Sequence, residues 1–397
     1  MNRNMGLRYI PKLDGEWDNT KEYEHLIVVT HQGDSYTSKK RVPIGIDISN
    51  SEYWLRTGSF NAQLEHYRKD IIKYSEDLKN HKTLGIVNVK DYGAKGDGVA
   101  DDTYAIKNCI DLAESGSVIY FPTGHYKISE TITLNSKTLK LCGSVAHDNE
   151  GWGEKRFNGS VLEFIGNNEN AFNINFYGCI LENLIICNKG SYKTAICINK
   201  SLYPENDSVI WNLQFNNIVA HNFKGDVYKS TCNVFKTTFR NCYAHGGING
   251  FYIIGGTSIT FEQCWSMWCK NCGYKIEQLL YSSFINCACD HQAKHGYYMY
   301  TCEGITAISC GAEYMDSSAF YIEACKAIVI EGCTSYYCNN GNENSNISGV
   351  QGVNNNGLTI IGYNDRYPSN TPTYSINLTG NENTKIGCYC ESAITIA

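Results

Sequence analysis

Asp290 and Glu313 stand 23 residues apart, and Glu277, Tyr300 and Glu323 follow one another at the same interval. In a chain that coils with that period, such residues stack one above another, about 4.8 Å apart per coil. Two stacked carboxylates push one pKa up and so set an acid beside a base. Their separation is close to the roughly 5 Å between the carboxyl groups of a retaining glycosidase. Glu277 and Glu323, two coils apart, are separated by about 9.6 Å, at the upper limit for an inverting pair. Trp268, His291, Tyr314 and Tyr337 form the next column, with Asp316 nearby. Tyr298 and Tyr321 share another column, in which Lys275 lies between Tyr252 and Tyr298. The candidate catalytic residues are therefore Asp290, Glu313, Glu277 and Glu323. The candidate sugar-stacking residues are Trp268, His291, Tyr298, Tyr300, Tyr314 and Tyr321. The same residues also fit an ordinary solvated sheet face or a subunit contact.

The period itself is written in cysteine. Cys242, Cys264, Cys287, Cys310 and Cys333 recur at intervals of 22, 23, 23 and 23. Gly250-Phe251, Gly273-Tyr274, Gly296-Tyr297 and Ala319-Phe320 keep the same step, and Ile253, Ile276, Met299 and Ile322 follow two residues later. A fixed repeat in the twenties means a solenoid. Within each repeat the apolar residues alternate with a period of two, which predicts strands. Asn241, Gln263, Asn286, Ser309 and Gly332, each just before a cysteine, suit corners that need turn or left-handed conformations. The expected architecture is all-β: a right-handed, single-stranded parallel β-helix of about 23 residues per coil. Its cysteines pack inside as small hydrophobes.

Composition narrows the function. The formal charge is 34 − 40 = −6, which disfavours nucleic acid as a partner. No stretch reaches the roughly 20 apolar residues of a membrane span, so no membrane insertion is expected. The first residues lack the apolar core of a signal peptide, and 19 cysteines is an odd number. Free thiols and folding in a reducing cytosol are expected. Cys269-x-x-Cys272 with Cys287-x-Cys289 has the wrong spacing for a common zinc site. Asp97, Asp101 and Asp102 read as turn and cap chemistry, with Asp102 as helix N-cap, better than as a metal site. No metal and no cofactor are expected.

Three regions follow along the chain. Residues 1–60 carry short strands and Gly/Asp turns and predict a small β domain. Residues 61–83 hold Leu64, Tyr67, Ile71, Tyr74, Leu78 and His81 at steps of three and four, the seam of a short helical coiled-coil linker and a sign of self-association. Residues 84–397 form the β-helix, with a helix near Thr103 to Glu114 covering its open end. Beyond Asn339 the cysteine period is lost, and a C-terminal cap is expected there.

The entrance to the third region, Tyr92-Gly93-Ala94-Lys95-Gly96-Asp97-Gly98 with Asp101-Asp102-Thr103, then Val118 to Tyr126, resembles the pectate-lyase-superfamily β-helix domain of phage tailspikes. The resemblance is strong over about residues 86–145 and rests on the period beyond them. Trp17-Asp18, Ser35 to Lys40, Val42 to Gly45, Tyr53-Trp54 and Asn61-Ala62-Gln63 resemble the N-terminal module of tail appendages from phages of Gram-positive bacteria, and also small chitin-binding, carbohydrate-binding-like domains.

The resemblance implies a homotrimeric virion spike. Residues 1–60 would dock to tail or collar proteins, and the β-helix would meet a host cell-wall or capsular polysaccharide. The alternatives are a depolymerase and a purely structural tail or adaptor protein. Arg240 is the one arginine of the regular coils. A uronate lyase wants such cations, so hydrolysis is the preferred chemistry if there is any.

Overall fold

The computed structural model describes residues 10–59, 67–73, 85–148, 157–200, 209–340, 347–366, 374–390 and 393–396. The chain divides into two compact units, 1–84 and 85–397. In the first, strands Lys12–Glu16, Ile27–His31, Asp34–Ser38 and Trp54–Ser59 make one sheet in that order. Its small core is Tyr23, Val29, Val42, Ile48 and Trp54. Residues 67–73 are helical, with Tyr67 and Ile71 exposed. The other seam positions, Leu64, Tyr74, Leu78 and His81, lie outside the described residues, as do Asn61, Ala62 and Gln63.

In the second unit, strands from Ile86–Asn88 to Ala393–Ile396 stack coil upon coil in parallel register. The fold is a parallel β-helix. The pairs Phe261↔Phe284, Met267↔Asp290, Asp290↔Glu313 and Glu313↔Tyr336 place residues 23 apart side by side. Inside, the five periodic cysteines are buried. Cys264 Sγ donates to the Phe239 carbonyl at 3.2 Å and Cys287 Sγ to that of Phe261 at 3.3 Å. Beside them, Tyr228, Phe251, Tyr274, Tyr297 and Phe320 stack with centroids 4.6, 4.8, 5.0 and 4.6 Å apart. Phe239, Phe261 and Phe284 form a second ladder, at 5.0 and 4.7 Å, whose rings meet the first edge-on. Both are favoured aromatic geometries. One residue per coil at a fixed position must fill the same volume, and this is why the interior repeats.

The corners fall where Asn, Gln, Ser and Gly precede the cysteines. Asn241, Gln263, Asn286, Ser309 and Gly332 have φ between 51° and 61°. Each backbone N–H donates to the next coil; Asn241 reaches the Glu262 carbonyl at 2.9 Å and Asn286 that of Ile308 at 3.0 Å.

At the front end, helix Thr103–Leu112 buries Thr103, Ala105, Ile106, Cys109 and Ile110. Asp102 occupies the N-cap position but does not cap with its side chain. It turns back instead and accepts the N–H groups of Lys95 at 2.6 Å and Gly96 at 3.0 Å. The carboxylate that meets the helix N-terminus is Asp101, which accepts the Thr103 N–H at 3.0 Å. Asp97 accepts Val99 and Ala100 N–H at 2.8 and 2.9 Å. The contact with the helix start expected of Asp102 thus falls to Asp101, while Asp102 satisfies two backbone amides of the Gly-rich loop.

Two further features differ from expectation. A hairpin, Ala146–Asp148 against Phe157–Phe164, interrupts the parallel order and lies on strands Ile180–Asn188 and Gln214–His221. Val161 of the hairpin packs with Ile185, Cys187 and Val219 in a buried apolar cluster on the outer side of the coil. Beyond Asn339 the stacking continues without the cysteine period. Val329↔Thr359 and Thr359↔Lys385 keep parallel register at offsets of 30 and 26. Longer connections lengthen these coils, while Leu358, Ile360, Ile376 and Leu378 still fill the interior.

Candidate functional site

The fold brings Asp290 and Glu313 together on the outer side of the coil as direct register partners. Strand alternation sets them there: Cys289 and Ala312, one residue earlier, point inward and are buried. The following residues, Trp268, His291, Tyr314 and Tyr337, are stacked. Their ring centroids are 4.1, 4.7 and 5.2 Å apart, and successive rings lie within 23° of parallel. All four have φ between 50° and 57°. Their amides donate upward; Trp268 N–H reaches the Asp290 carbonyl at 3.1 Å and His291 N–H that of Glu313 at 2.9 Å. A left-handed conformation costs a non-glycine residue about 1–2 kcal/mol. Bulky side chains are nonetheless held in it on four successive coils. Buried Gln292 clamps this corner, donating to the Ser266 and Asp290 carbonyls at 2.8 and 2.9 Å.

His291 Nδ1 lies 2.6 Å from Asp290 Oδ1 in an ion-pair contact without hydrogen-bond alignment. Burial raises the Asp290 pKa above the ordinary aspartate value, and His291 pulls it part of the way back. Burial also raises that of Glu313; the Asp290 charge adds to the rise and His291 opposes it. Both carboxyl groups of the pair are thus held above their ordinary range, chiefly by burial.

Glu277 and Glu323 are in one column with Tyr300 between them. Their surroundings differ from the first pair. Lys275 Nζ is 3.1 Å from Glu277 Oε1, and the Tyr252 hydroxyl donates to Oε2 at 3.1 Å. The Lys275 ammonium also lies 4.4 Å from the centre of the Tyr252 ring. Tyr298 and Tyr321 stack at 5.3 Å, and the Tyr321 hydroxyl donates to Glu323 at 3.2 Å. Buried His295 packs on Tyr321 at 4.8 Å, its Nδ1 2.8 Å from Ser318 Oγ and its pKa pushed down to about 3 by burial. This face is a bonded polar network; on the first face, among the described residues, neither carboxylate pairs with a lysine or arginine.

Cys269, Cys272, Cys287 and Cys289 are all buried, and burial pushes the Cys269 thiol up to about 12. Cys269 Sγ donates to the Gly246 carbonyl and Cys289 Sγ to that of Gly296. They act as packing groups. Sequence reasoning did not single out Trp265, one coil below Ala288, or Tyr243 below that. Their rings lie 5.1 Å apart. The available signal was their common step with the periodic cysteines, each aromatic following one directly.

Residues 86–283 match the family described as rhamnogalacturonase A/epimerase, pectate lyase-like. Plasmin and fibronectin-binding protein A of Streptococcus pneumoniae is 40% identical over 75 residues, 18% of this chain and 10% of that protein. Alginate lyase 7 of Azotobacter vinelandii is 42% identical over 69 residues, 17% of this chain and 8% of that protein. The matched stretches thus span a tenth or less of these curated relatives. Among solved structures, a tailspike of Acinetobacter phage vb_AbaP_AS12 aligns with a TM-score of 0.53 at 13% identity, over 78% of this chain and 63% of that one. The Agl-KA catalytic domain aligns at 0.54 and 13% identity, over 75% of this chain and 57% of that one. At such identities the likeness is one of fold. Residues 86–283, which match the pectate-lyase-like family model, fold as part of the parallel β-helix.

Proposed function

We propose that the protein is a phage tail appendage that recognises a host cell-surface polysaccharide. Residues 1–60 would attach it to the tail, the exposed Tyr67 and Ile71 would belong to the seam of a homotrimer, and the β-helix would carry the glycan site. The observation that carries this reading is the outer ladder Trp268–His291–Tyr314–Tyr337 beside Asp290 and Glu313. Aromatic rings held in left-handed backbone are strain of the kind that collects at functional sites, and a flat row of rings on a rigid solenoid suits sugar stacking. The fold is shared with a phage tailspike, and a short stretch with a protein named for alginate lyase activity. Incubation with isolated Gram-positive envelope polysaccharide tests it. Saturable binding is expected, and its absence across such polysaccharides leaves the structural tail protein as the better account.

The raised pKa values favour a second reading, depolymerisation by hydrolysis. One carboxyl of the Asp290–Glu313 pair would protonate the leaving oxygen while the other, ionised, attacked the anomeric carbon. New reducing ends, absent with Glu313→Gln, would establish it; unsaturated products would point to elimination instead.

A further inference from the structure

The column that holds the acidic pair runs beyond it. In register order it reads Cys187, His221, His245, Met267, Asp290, Glu313 and Tyr336. Cys187 and His221 are buried at 1% and 0% exposure, under the side covered by the Ala146–Asp148 hairpin. His245 is half-buried and is the first rung of the column that is not fully buried. One end of the outer face is therefore walled, and four rungs, His245 to Glu313, lie between the wall and the far carboxylate.

Two residues earlier on each strand, the parallel column reads Tyr243, Trp265, Ala288, Gly311 and Thr334. Large rings give way to the two smallest side chains directly beside Asp290 and Glu313. Trp265 is 41% exposed, and a Cβ built on Gly311 meets nothing within 4 Å. The surface thus has a step: an indole, then a notch with the carboxylates along one side and the His291–Tyr314 rings beyond them.

The charge of the notch is equally specific. The positions around it are Trp265, Met267, Ala288, His291, Gly311, Tyr314, Thr334 and Tyr336, none of them Lys or Arg; Arg366 pairs with Tyr336, two coils past Glu313. Two adjacent carboxylates repel a polyuronate, and among the described residues no Lys or Arg is ion-paired with them.

We propose that this face is a closed-ended site for an uncharged hexose or acetamidohexose chain, with one sugar stacked on Trp265 and the next seated in the Ala288–Gly311 notch against Asp290 and Glu313. The proposal rests on the glycan-recognition reading and names its substrate class, its platform residue and its end.

The test uses the full chain, with intrinsic fluorescence and sedimentation as readouts. The probes are size-fractionated neutral polysaccharide from Gram-positive cell walls and polygalacturonate of matched length. Trp265→Ala and Gly311→Leu are each expected to weaken binding of the neutral probe at least tenfold. Trp265→Phe should restore part of the loss, and Trp211→Ala, on an exposed tryptophan elsewhere, should change nothing. Polygalacturonate should neither bind nor compete. Affinity should rise with fragment length and level off once four rungs are spanned.

Unchanged affinity in both Trp265→Ala and Gly311→Leu overturns the site while leaving glycan recognition standing. Equal binding of polygalacturonate overturns the substrate class, and affinity that climbs far past four units overturns the closed end. Failure of the unaltered chain to bind the neutral fractions alone overturns the substrate class, and failure to bind any envelope polysaccharide, neutral or charged, sinks the recognition reading itself.

Discussion

Two aromatic ladders run up this molecule at the same interval, one inside the coils and one outside. The inner ladder, Phe251, Tyr274, Tyr297 and Phe320, is entirely buried and nearly uniform in shape. The outer one, Trp268, His291, Tyr314 and Tyr337, mixes an indole, an imidazole and two phenols in a strained backbone. Shared spacing says only that residues are neighbours. What separates them is whether a rung must fill a fixed volume. Inside, any change leaves a cavity or an overlap, so chemistry is restricted to what fits. Outside, each rung is free to differ, and the sequence there varies from coil to coil.

The sharpest way to break this comparison is an inner rung. Phe261 is fully buried and stacked at 5.0 and 4.7 Å on its neighbours. Phe261→Ala should cost about 3–5 kcal/mol, read as a lowered urea midpoint of the β-helix. A loss below about 1 kcal/mol would mean the interior is not close-packed.

The acidic pair should move stability the other way. Asp290 has a raised pKa in the fold, so its favourable contribution is complete below the unfolded value. It is lost as pH rises through the higher folded value. At pH 7 the charged form is therefore a burden, and Asp290→Asn should stabilise by roughly 1 kcal/mol. The gain should vanish in melts at about pH 3, below the ordinary aspartate value. Glu313→Gln acts in the same direction and less, since water screens its more exposed charge. A variant that destabilises at neutral pH would show that the carboxylate is held by favourable contacts.

A smaller effect separates strain from stacking. Tyr314 sits at φ 55°. Tyr314→Gly relieves about 1 kcal/mol of left-handed strain and gives up ring contacts of about 0.5–1.5 kcal/mol. Stability should stay within about 0.5 kcal/mol while glycan binding falls. A large stability loss would make the outer ladder structural, like the inner one.

Much of this arrangement was legible along the chain. The cysteine step predicted vertical adjacency because interior packing tolerates one size of residue per position. The Asn241 and Asn286 corners were visible because those side chains accept left-handed backbone. The corner at Trp268 and Tyr314 was not, since nothing about tryptophan or tyrosine announces a positive φ. The hairpin cover had a signal that was overlooked: Leu184-Ile185-Ile186-Cys187 is apolar without alternation, as in strands buried on both sides. That Asp101 rather than Asp102 meets the helix N-terminus depended on where loop amides point, which spacing does not encode. Nor did spacing distinguish the two acidic columns, because the difference lies in Lys275 and Tyr252 on neighbouring coils.

That last difference gives the smallest and most discriminating measurement. Lys275 and Glu277 are both largely buried on their own face, with side chains 26% and 17% exposed. Desolvation lowers the Lys275 pKa, but the bond and charge of Glu277 outweigh it and the net shift is upward. The pair should therefore couple favourably. A double-mutant cycle with Lys275→Met and Glu277→Gln should give an interaction energy of about 0.5–1 kcal/mol, with Glu277→Gln alone destabilising at pH 7. Asp290→Asn is expected to have the opposite sign. Two carboxylates at the same rung spacing on one solenoid would then differ in the sign of their effect, one retained for stability and the other in spite of it. If both destabilised alike, burial without a counter-cation would lose its standing as the mark of the functional face.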